Sequence, residues 1–213
     1  MIVPTYRLGG IDCLKWSLDH QDYPHDRIQL VIVDALYSHR AEAVRRYFAG
    51  VRYDVVHAPP AQLAGEDPAG FRDMCPRYRN TGIQRATGQI LLFWSDFTLC
   101  LPPMLTLHVH RLEGLKRPCV VCGTHLYARI VPQMLAEKVS YGHEEIDAYE
   151  RDVKAIDPDD PRWISIFAFD PGRIFAAASQ LVDAAPTDLD PKLRLPNATV
   201  ILPAFAHWKN ESL

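Results

Sequence analysis

Apolar residues in the N-terminal half of the chain follow two patterns that alternate along the sequence. Short runs rich in apolar and β-branched residues predict strands at residues 2–3, 27–34, 52–58 and 89–94. Between these runs the apolar residues are spaced as on one buried face of a helix, first at Ile11, Leu14, Trp16 and Leu18. The alternation predicts a fold built from strand–helix units.

Two further helices are predicted from residues that commonly begin or end helices. Ser38 can cap a helix that closes near Gly50. A third helix, over residues 78–87, is ended by Gly88. The stretch PPAQLAGEDPAG at residues 59–70 holds too many prolines and glycines for regular structure and predicts a loop.

Strands that alternate with helices at short intervals imply right-handed crossovers between parallel strands. The expected fold class is α/β, a three-layer α/β/α arrangement around a mostly parallel open sheet. The apolar strand QILLFW at residues 89–94 should be fully buried in that sheet. No strong linker or internal repeat divides the chain, so we expect a single domain over residues 1–213.

Patterns in the C-terminal half are less regular. A helix is predicted over residues 104–115 and a strand over residues 119–130. Residues 131–161 mix acidic and apolar positions without a steady period, which leaves their structure open. Two later strand candidates, residues 164–169 and 198–208, flank the polar stretch DAAPTDLDPKLRL.

Composition narrows the class of protein. Of 213 residues, 48% are hydrophobic and 23% are charged, which is typical of a globular protein. The net charge of −3, without a basic stripe, argues against a nucleic-acid partner. No apolar run reaches the roughly 20 residues that span a bilayer, and the first residues show no signal-peptide pattern. We therefore expect no transmembrane segment and a cytoplasmic location.

Polar residues stand where three of the predicted strands end. Residues 5–7 (TYR) follow the first strand, Asp34 ends the second, and residues 95–96 (SD) follow the fourth. In an open parallel sheet, ligands bind beyond the carboxyl ends of the strands. These residues should therefore converge on one crevice.

Three segments, in this order, resemble a known family. VPTYRLGG, then LVIVDA, then RNTGIQRATGQILLFWSDFTLCLPP are similar to the family 2 glycosyltransferases of the GT-A, or nucleotide-diphospho-sugar transferase, fold. In that family the first motif lies under the nucleobase, the acid after the second strand meets the base or ribose, and the loop after the fourth strand holds a D-x-D. The match covers the first half of the chain well and the second half poorly.

The resemblance implies a glycosyltransferase that moves a sugar from a nucleoside diphosphate sugar, a UDP-sugar, to an acceptor hydroxyl with inversion. Residues 1–115 would form the nucleotide-binding half and residues 116–213 the acceptor-side half, with the chain expected to be incomplete at its C-terminus. The acceptor, whether a glycan, a lipid-linked molecule or a small molecule, stays open. The residues expected to bind the nucleotide are Pro4, Thr5, Tyr6, Arg7, Asp34, Arg77, Arg79, Asn80, Ser95 and Asp96.

Two positions depart from the family pattern. Asp34 is followed by Ala35 where the family commonly has a second acid, and Phe97 stands where a metal-binding acid is expected. A phenyl ring cannot ligate a hard cation such as Mn²⁺ or Mg²⁺, which takes oxygen ligands. The resemblance then leaves Asp96 and His207 as the ligands of a weakened metal site.

The catalytic base is expected at Asp190 or, failing it, at Asp188, because PTDLDPKLRL loosely resembles the family's E-D segment. Alternatives remain for each site residue. Strand-end aspartates also serve as caps and turn residues, and charged residues such as Arg77 and Asp190 also occur in solvated loops. Two other functions stay open: a nucleotide-sugar-binding module that has lost turnover, and a nucleotidyltransferase of related fold.

Overall fold

The computed structural model describes residues 1–62, 74–96, 98–100, 102–114, 125–127, 153, 155–165 and 199–201 of the chain. Short 3₁₀ turns lie at His25–Arg27 and Pro161–Trp163. The strands and helices of these ranges are β1 (Ile2–Thr5), α1 (Ile11–Asp19), β2 (Gln29–Asp34), α2 (Tyr37–Tyr47), β3 (Asp54–Ala58), α3 (Met74–Arg85), β4 (Thr98–Cys100), α4 (Met104–Glu113), β5 (His125–Tyr127) and β6 (Thr199–Ile201).

By its internal contacts the chain divides into two compact units, each made of three stretches. Unit 1 comprises Met1–Asp12, His25–Asp96 and Val139–Ala168, and unit 2 comprises Cys13–Pro24, Phe97–Lys138 and Phe169–Leu213. Contact clusters of this kind also occur inside one domain. The single domain over residues 1–213, with its two halves, therefore stays a prediction.

Unit 1 contains a parallel sheet with the strand order β1-β2-β3. Thr5, the last residue of β1, lies in register with Asp34, the last residue of β2. Val33 of β2 lies in register with Ala58, the last residue of β3. The predicted α/β class with a parallel sheet is confirmed, and the carboxyl ends of these strands share one edge.

The central strand, β2, is buried on both faces. Residues 30–33 (LVIV) are each 0% exposed, although successive side chains of a strand point to opposite faces. On one face, Val31 and Val33 pack with Ile2 of β1 and Tyr78 of α3. A strand with this burial needs cover on both sides, as the layered arrangement predicts.

Helix α2 does not begin in the predicted way. Its N-cap is Leu36, which makes no side-chain capping bond, and Ser38 lies inside the first turn. The Leu36 amide instead donates to Asp34 Oδ1 at 2.8 Å. The predicted Ser38 cap is wrong because the helix already begins at Tyr37: the Leu36 carbonyl accepts from the Arg40 amide at 3.1 Å, which places Ser38 inside the helix. Gly50 follows the helix with a φ of 81°, a conformation that glycine adopts easily.

Helix α3 begins earlier than its apolar spacing suggested. It spans Met74–Arg85, whereas the pattern placed it over residues 78–87. Pro76 lies in the first turn, where a missing backbone N–H costs little because those amides have no partner inside the helix. The first turn of the helix therefore contains a proline, a residue that in sequence analysis usually indicates a helix boundary.

The prediction of a fully buried strand at residues 89–94 is wrong. The segment pairs with β1 through a single bridge between Ile2 and Phe93, supported by bonds from Ile2 N to Leu92 O and from Trp94 N to Ile2 O. Its side chains are partly in solvent, with Leu91 39% and Phe93 44% exposed. An apolar run does not distinguish a central strand from a short segment beside the outer strand of a sheet.

Unit 2 contains the remaining strands. β6 pairs with β4 in antiparallel fashion and with β5 in parallel. Ser17 of α1 is buried, accepts from the Cys100 amide at 3.1 Å and donates to the Thr98 carbonyl at 3.4 Å. Helix α4 and strands β5 and β6 lie within the ranges predicted for them, and the rest of those ranges lies mostly outside the described residues.

Within the described parts of the chain, no helix combines the length and the apolar character needed to cross a membrane.

Gly82 should be required where α3 packs on β1. A Cβ at this position would overlap Cγ2 of Ile2, a side chain that is 0% exposed. We expect Gly82→Ala to lower the free energy of unfolding by about 1–3 kcal/mol, although alanine is the better helix former. Gly88→Ala is the control, because its Cβ would meet only the Ile90 carbonyl at 3.6 Å. Denaturant unfolding measures both, and equal stabilities would contradict the close packing.

Candidate functional site

The ends of β1 and β2 and the segment after Phe93 meet in unit 1. Thr5 Oγ1 donates to Asp96 Oδ2 at 2.7 Å and accepts from Arg40 Nη2 at 3.1 Å. Arg40 is also paired with Asp34. The structure thus brings together the three polar features that follow the predicted strands. We call this the strand-end network, and its members are Thr5, Arg7, Asp34, Arg40, His57 and Asp96.

Asp34 is fully buried, and four bonds reach its carboxylate. Arg40 Nε donates to Oδ2 at 2.6 Å and Nη2 to Oδ1 at 2.9 Å, while His57 Nε2 lies 2.8 Å from Oδ2 and the Leu36 amide donates to Oδ1. Burial alone would raise the pKa of Asp34, but the charge of Arg40 and the hydrogen bonds from His57 and Arg40 lower it to about 2. Asp34 is therefore an anion held entirely by protein donors.

Asp96 lies in a similar environment at the other side of the network. Its residue is 1% exposed, and its carboxylate accepts from Thr5 and from Arg7 Nη2, the latter at 2.9 Å. Ser95 Oγ lies 3.3 Å from Oδ1. The Arg7 guanidinium also lies over the Tyr6 ring, 5.0 Å from its centroid. Each buried carboxylate of the network thus has its own arginine.

The expected nucleotide-binding residues next to the network are more exposed than its two aspartates. Tyr6 and Ser95 are partly exposed, directly after β1 and directly before Asp96. Pro4 lies in β1, in register with Val33. Tyr6 and Ser95 therefore offer side-chain surface next to a network whose carboxylates are out of solvent.

The remaining nucleotide-binding candidates lie on α3. The helix predicted over residues 78–87 would leave Arg77 just before its start, but α3 begins at Met74 and contains both Arg77 and Arg79. Arg77 Nε donates to the Ala61 carbonyl, and the Arg79 guanidinium lies 5.8 Å from the centroid of the Phe93 ring. Asn80 is exposed on the same helix.

The expected base and part of the expected metal site cannot be placed. Asp188, Asp190, Phe97 and His207 lie outside the described residues. Within the described ranges, no group of three or more His, Cys, Asp or Glu side chains could hold a metal ion. The carboxylate of Asp96 accepts from the Arg7 guanidinium and the Thr5 hydroxyl, so its charge is already balanced by a cation of the protein.

Sequence reasoning missed Arg40 and His57. Arg40 lies six positions after Asp34, and His57 lies on β3, where it is in register with Ile32 of β2. His57 also makes an edge contact with the Tyr37 ring, with centroids 4.8 Å apart. Strand pairing offered a weak signal for His57, whereas an arginine in an amphipathic helix gives no sign that it points inward.

The charge of Asp34 should make stability depend on pH. A folded-state pKa of about 2, below the ordinary 3.8, gives stability that is present above the unfolded pKa and is lost as the pH falls through both values. We expect a loss of about 2 kcal/mol between roughly pH 5 and pH 2. Unfolding measured across this range for the native protein and for Asp34→Asn should give a flatter curve for the variant. Parallel curves would contradict the assignment.

The Thr5 hydroxyl should be required for its two hydrogen bonds rather than for its shape. Thr5→Val keeps the volume but removes one hydrogen bond from Arg40 and one from Asp96, which should cost about 1–3 kcal/mol of unfolding free energy. Thr5→Ser keeps the hydroxyl and loses one methyl group, worth roughly 0.8 kcal/mol. If chemical denaturation finds the serine variant the less stable of the two, the hydroxyl has no such role.

No protein-family model matches this chain, and no curated protein matches it. Its similarity to solved structures is remote. TarS 1-349 of S. aureus in complex with UDP has 18% sequence identity and a TM-score of 0.41 over 58% of this chain and 38% of that one. For the same protein in complex with UDP-GlcNAc the identity is 18% and the TM-score 0.38, over 58% and 36% of the two chains. This chain thus spans well under half the length of those proteins.

Proposed function

We propose that unit 1 binds the nucleoside diphosphate of a nucleotide sugar at the carboxyl ends of β1 and β2, and that the chain is a glycosyltransferase of the GT-A type. The observation that carries the proposal is the strand-end network, which joins Thr5, Asp34 and Asp96 at one edge of a parallel sheet. Open parallel sheets bind ligands at this edge. The donor is a UDP-sugar, whose sugar is transferred with inversion at the anomeric carbon.

The two buried carboxylates support this site by fixing the positions of the residues around it. Asp34 and Asp96 are 0% and 1% exposed and are occupied by protein donors. We propose that they act on the nucleotide mainly through the loop after β1, residues 6–10. Asp96 binds the Arg7 side chain directly, and Asp34 holds Arg40, which donates to the Arg7 carbonyl. In that loop, Gly9 and Gly10 have φ values of 70° and 76°, which bulkier residues rarely adopt.

The direct contacts to the nucleotide are proposed for exposed neighbours of the network. Tyr6 supplies a ring on which a base can stack, and Ser95 a hydroxyl for the ribose. The network is close to neutral, because Arg40 balances Asp34 and Arg7 balances Asp96. Charge for the diphosphate must then come from elsewhere, and Arg77 and Arg79 of α3 are the proposed source, with Asn80 beside them.

The proposed reaction is a direct displacement. Asp190, or failing it Asp188, removes the proton of the acceptor hydroxyl, and that oxygen attacks the anomeric carbon as the bond to the diphosphate breaks. The electron pair leaves with UDP, whose charge the arginines stabilise. We assign no step to a metal ion, because the Asp96 carboxylate is paired with Arg7 and the side chain of residue 97, a phenylalanine, has no oxygen atom that could bind one. We therefore propose that dependence on Mn²⁺ or Mg²⁺ is weak.

A second function, a binding module that has lost turnover, is favoured by the same engagement of Asp96. The charge of a carboxylate paired with Arg7 is already balanced, so it attracts less strongly a cation that would neutralise the leaving diphosphate. The two functions differ in turnover and not in binding. Titration with UDP and with UDP-sugars, beside an assay for released UDP with a panel of acceptors, separates them.

We expect UDP to bind the native protein and Tyr6→Ala to weaken that binding by about tenfold or more, because stacking on an aromatic side chain contributes about 1–3 kcal/mol per base. Tyr6→Phe keeps the ring and is the matched control, with affinity close to native. Isothermal titration calorimetry measures all three. If native protein binds neither UDP nor a UDP-sugar, the proposed function is wrong, and equal affinities of the three proteins would remove Tyr6 from the site.

A further inference from the structure

Arg40 uses all five of its N–H donors inside the protein. Its side chain is 0% exposed. A guanidinium has one donor on Nε and two on each Nη, and the structure provides five bonds for them. They are Nε to Asp34 Oδ2 (2.6 Å), Nη2 to Asp34 Oδ1 (2.9 Å), Nη2 to Thr5 Oγ1 (3.1 Å), Nη1 to the Arg7 carbonyl (2.8 Å) and Nη1 to the Trp163 carbonyl (3.3 Å).

These bonds join three parts of unit 1 that are far apart in sequence. Thr5 and Arg7 belong to the end of β1 and its loop, Asp34 ends β2, and Trp163 is 123 positions away from Arg40. Arg7 is thereby held at two points, because Arg40 binds its carbonyl while Asp96 binds its guanidinium. A displacement of Arg40 would therefore release the loop after β1 at its backbone.

The segment around Trp163, residues 157–164, has further contacts with the start of α1 and with α2. The Ile164 carbonyl accepts from the amides of Ile11 and Asp12, at the start of α1. The Trp163 side chain packs with Leu36, and its ring lies parallel to that of His39, with centroids 6.1 Å apart. This segment therefore packs against the elements that Arg40 connects.

From this geometry we infer that Arg40 is a positioning residue, which fixes the loop after β1 for nucleotide binding and couples that loop to residues 157–164. The ligand part of the inference rests on the function proposed above. Arg40 acts through Thr5 and Arg7, because its own side chain has no exposed surface. Coupling is reciprocal, so a nucleotide bound at the loop should also stabilise residues 157–164.

Arg40→Lys tests this with the charge retained. An ammonium has three N–H donors, so at least two of the five acceptors lose their bond. Two substitutions in the same helix are the controls. Arg45→Lys changes an exposed arginine whose partner is Glu42. Val44→Ala shortens a side chain that is 1% exposed and lies outside the strand-end network, so it destabilises the protein and leaves that network in place.

Hydrogen exchange without any ligand is the first measurement. In Arg40→Lys we expect faster exchange in residues 5–9 and 157–165 and little change in α3, whereas Val44→Ala should lower the melting temperature without this local pattern. The second measurement is UDP affinity at a temperature where every variant is folded. We expect a loss of about tenfold or more for Arg40→Lys, and native affinity for both controls.

The outcomes separate this inference from the proposed function. If native protein does not bind UDP, the proposed function fails, while the exchange pattern still decides whether Arg40 positions the loop. Native UDP affinity in folded Arg40→Lys, or exchange in that variant that matches Val44→Ala, would overturn the inference. Should Arg40→Lys not fold, Thr5→Val removes one of the five bonds, and it must raise exchange in residues 5–9 for the inference to stand.

Discussion

The ion pair between Asp34 and Arg40 is the interaction on which the rest of unit 1 depends. Both side chains are 0% exposed, so each ion has lost its hydration, at a cost of several kcal/mol. Attraction within the pair offsets this cost only if the remaining donors and acceptors are also bonded. That condition is met by Thr5, His57, Leu36 and the carbonyls of Arg7 and Trp163. It requires β1, β2, β3, α2 and residues 157–164 to be in place together.

This requirement also shapes the candidate site. The polar residues at the carboxyl ends of the strands are not a set of open ligands but a bonded framework, in which one arginine accompanies each of Asp34 and Asp96. Any ligand at this edge meets the surfaces that the framework holds, such as Tyr6 and Ser95, before it meets a carboxylate. The specificity of the site would then reside in the exposed residues and its rigidity in the buried ones.

Local rules failed where a tertiary contact replaced them. Ser38 is a good capping residue, yet the helix begins before it, at an N-cap, Leu36, whose amide is bound by Asp34 at the end of β2. The run at residues 89–94 has the composition of a core strand, yet one bridge to Ile2 leaves Phe93 partly in solvent. In both cases the deciding partner lies in another element, and apolar spacing contains no information about it.

The sequence by itself determined the alternation of strands and helices, the parallel pairing and the meeting of Thr5, Asp34 and Asp96 at one edge. Periodicity is a local property, and short helical crossovers make successive strands parallel. Only the tertiary structure decided what these residues do there. Arg40 points inward from the amphipathic helix α2, and the Trp163 carbonyl, 123 positions away in the sequence, accepts a hydrogen bond from it. Such contacts arise from packing between distant segments. The charge of Arg40 and the hydrogen bonds from His57 and Arg40 then keep the pKa of Asp34 low, although burial alone would raise it.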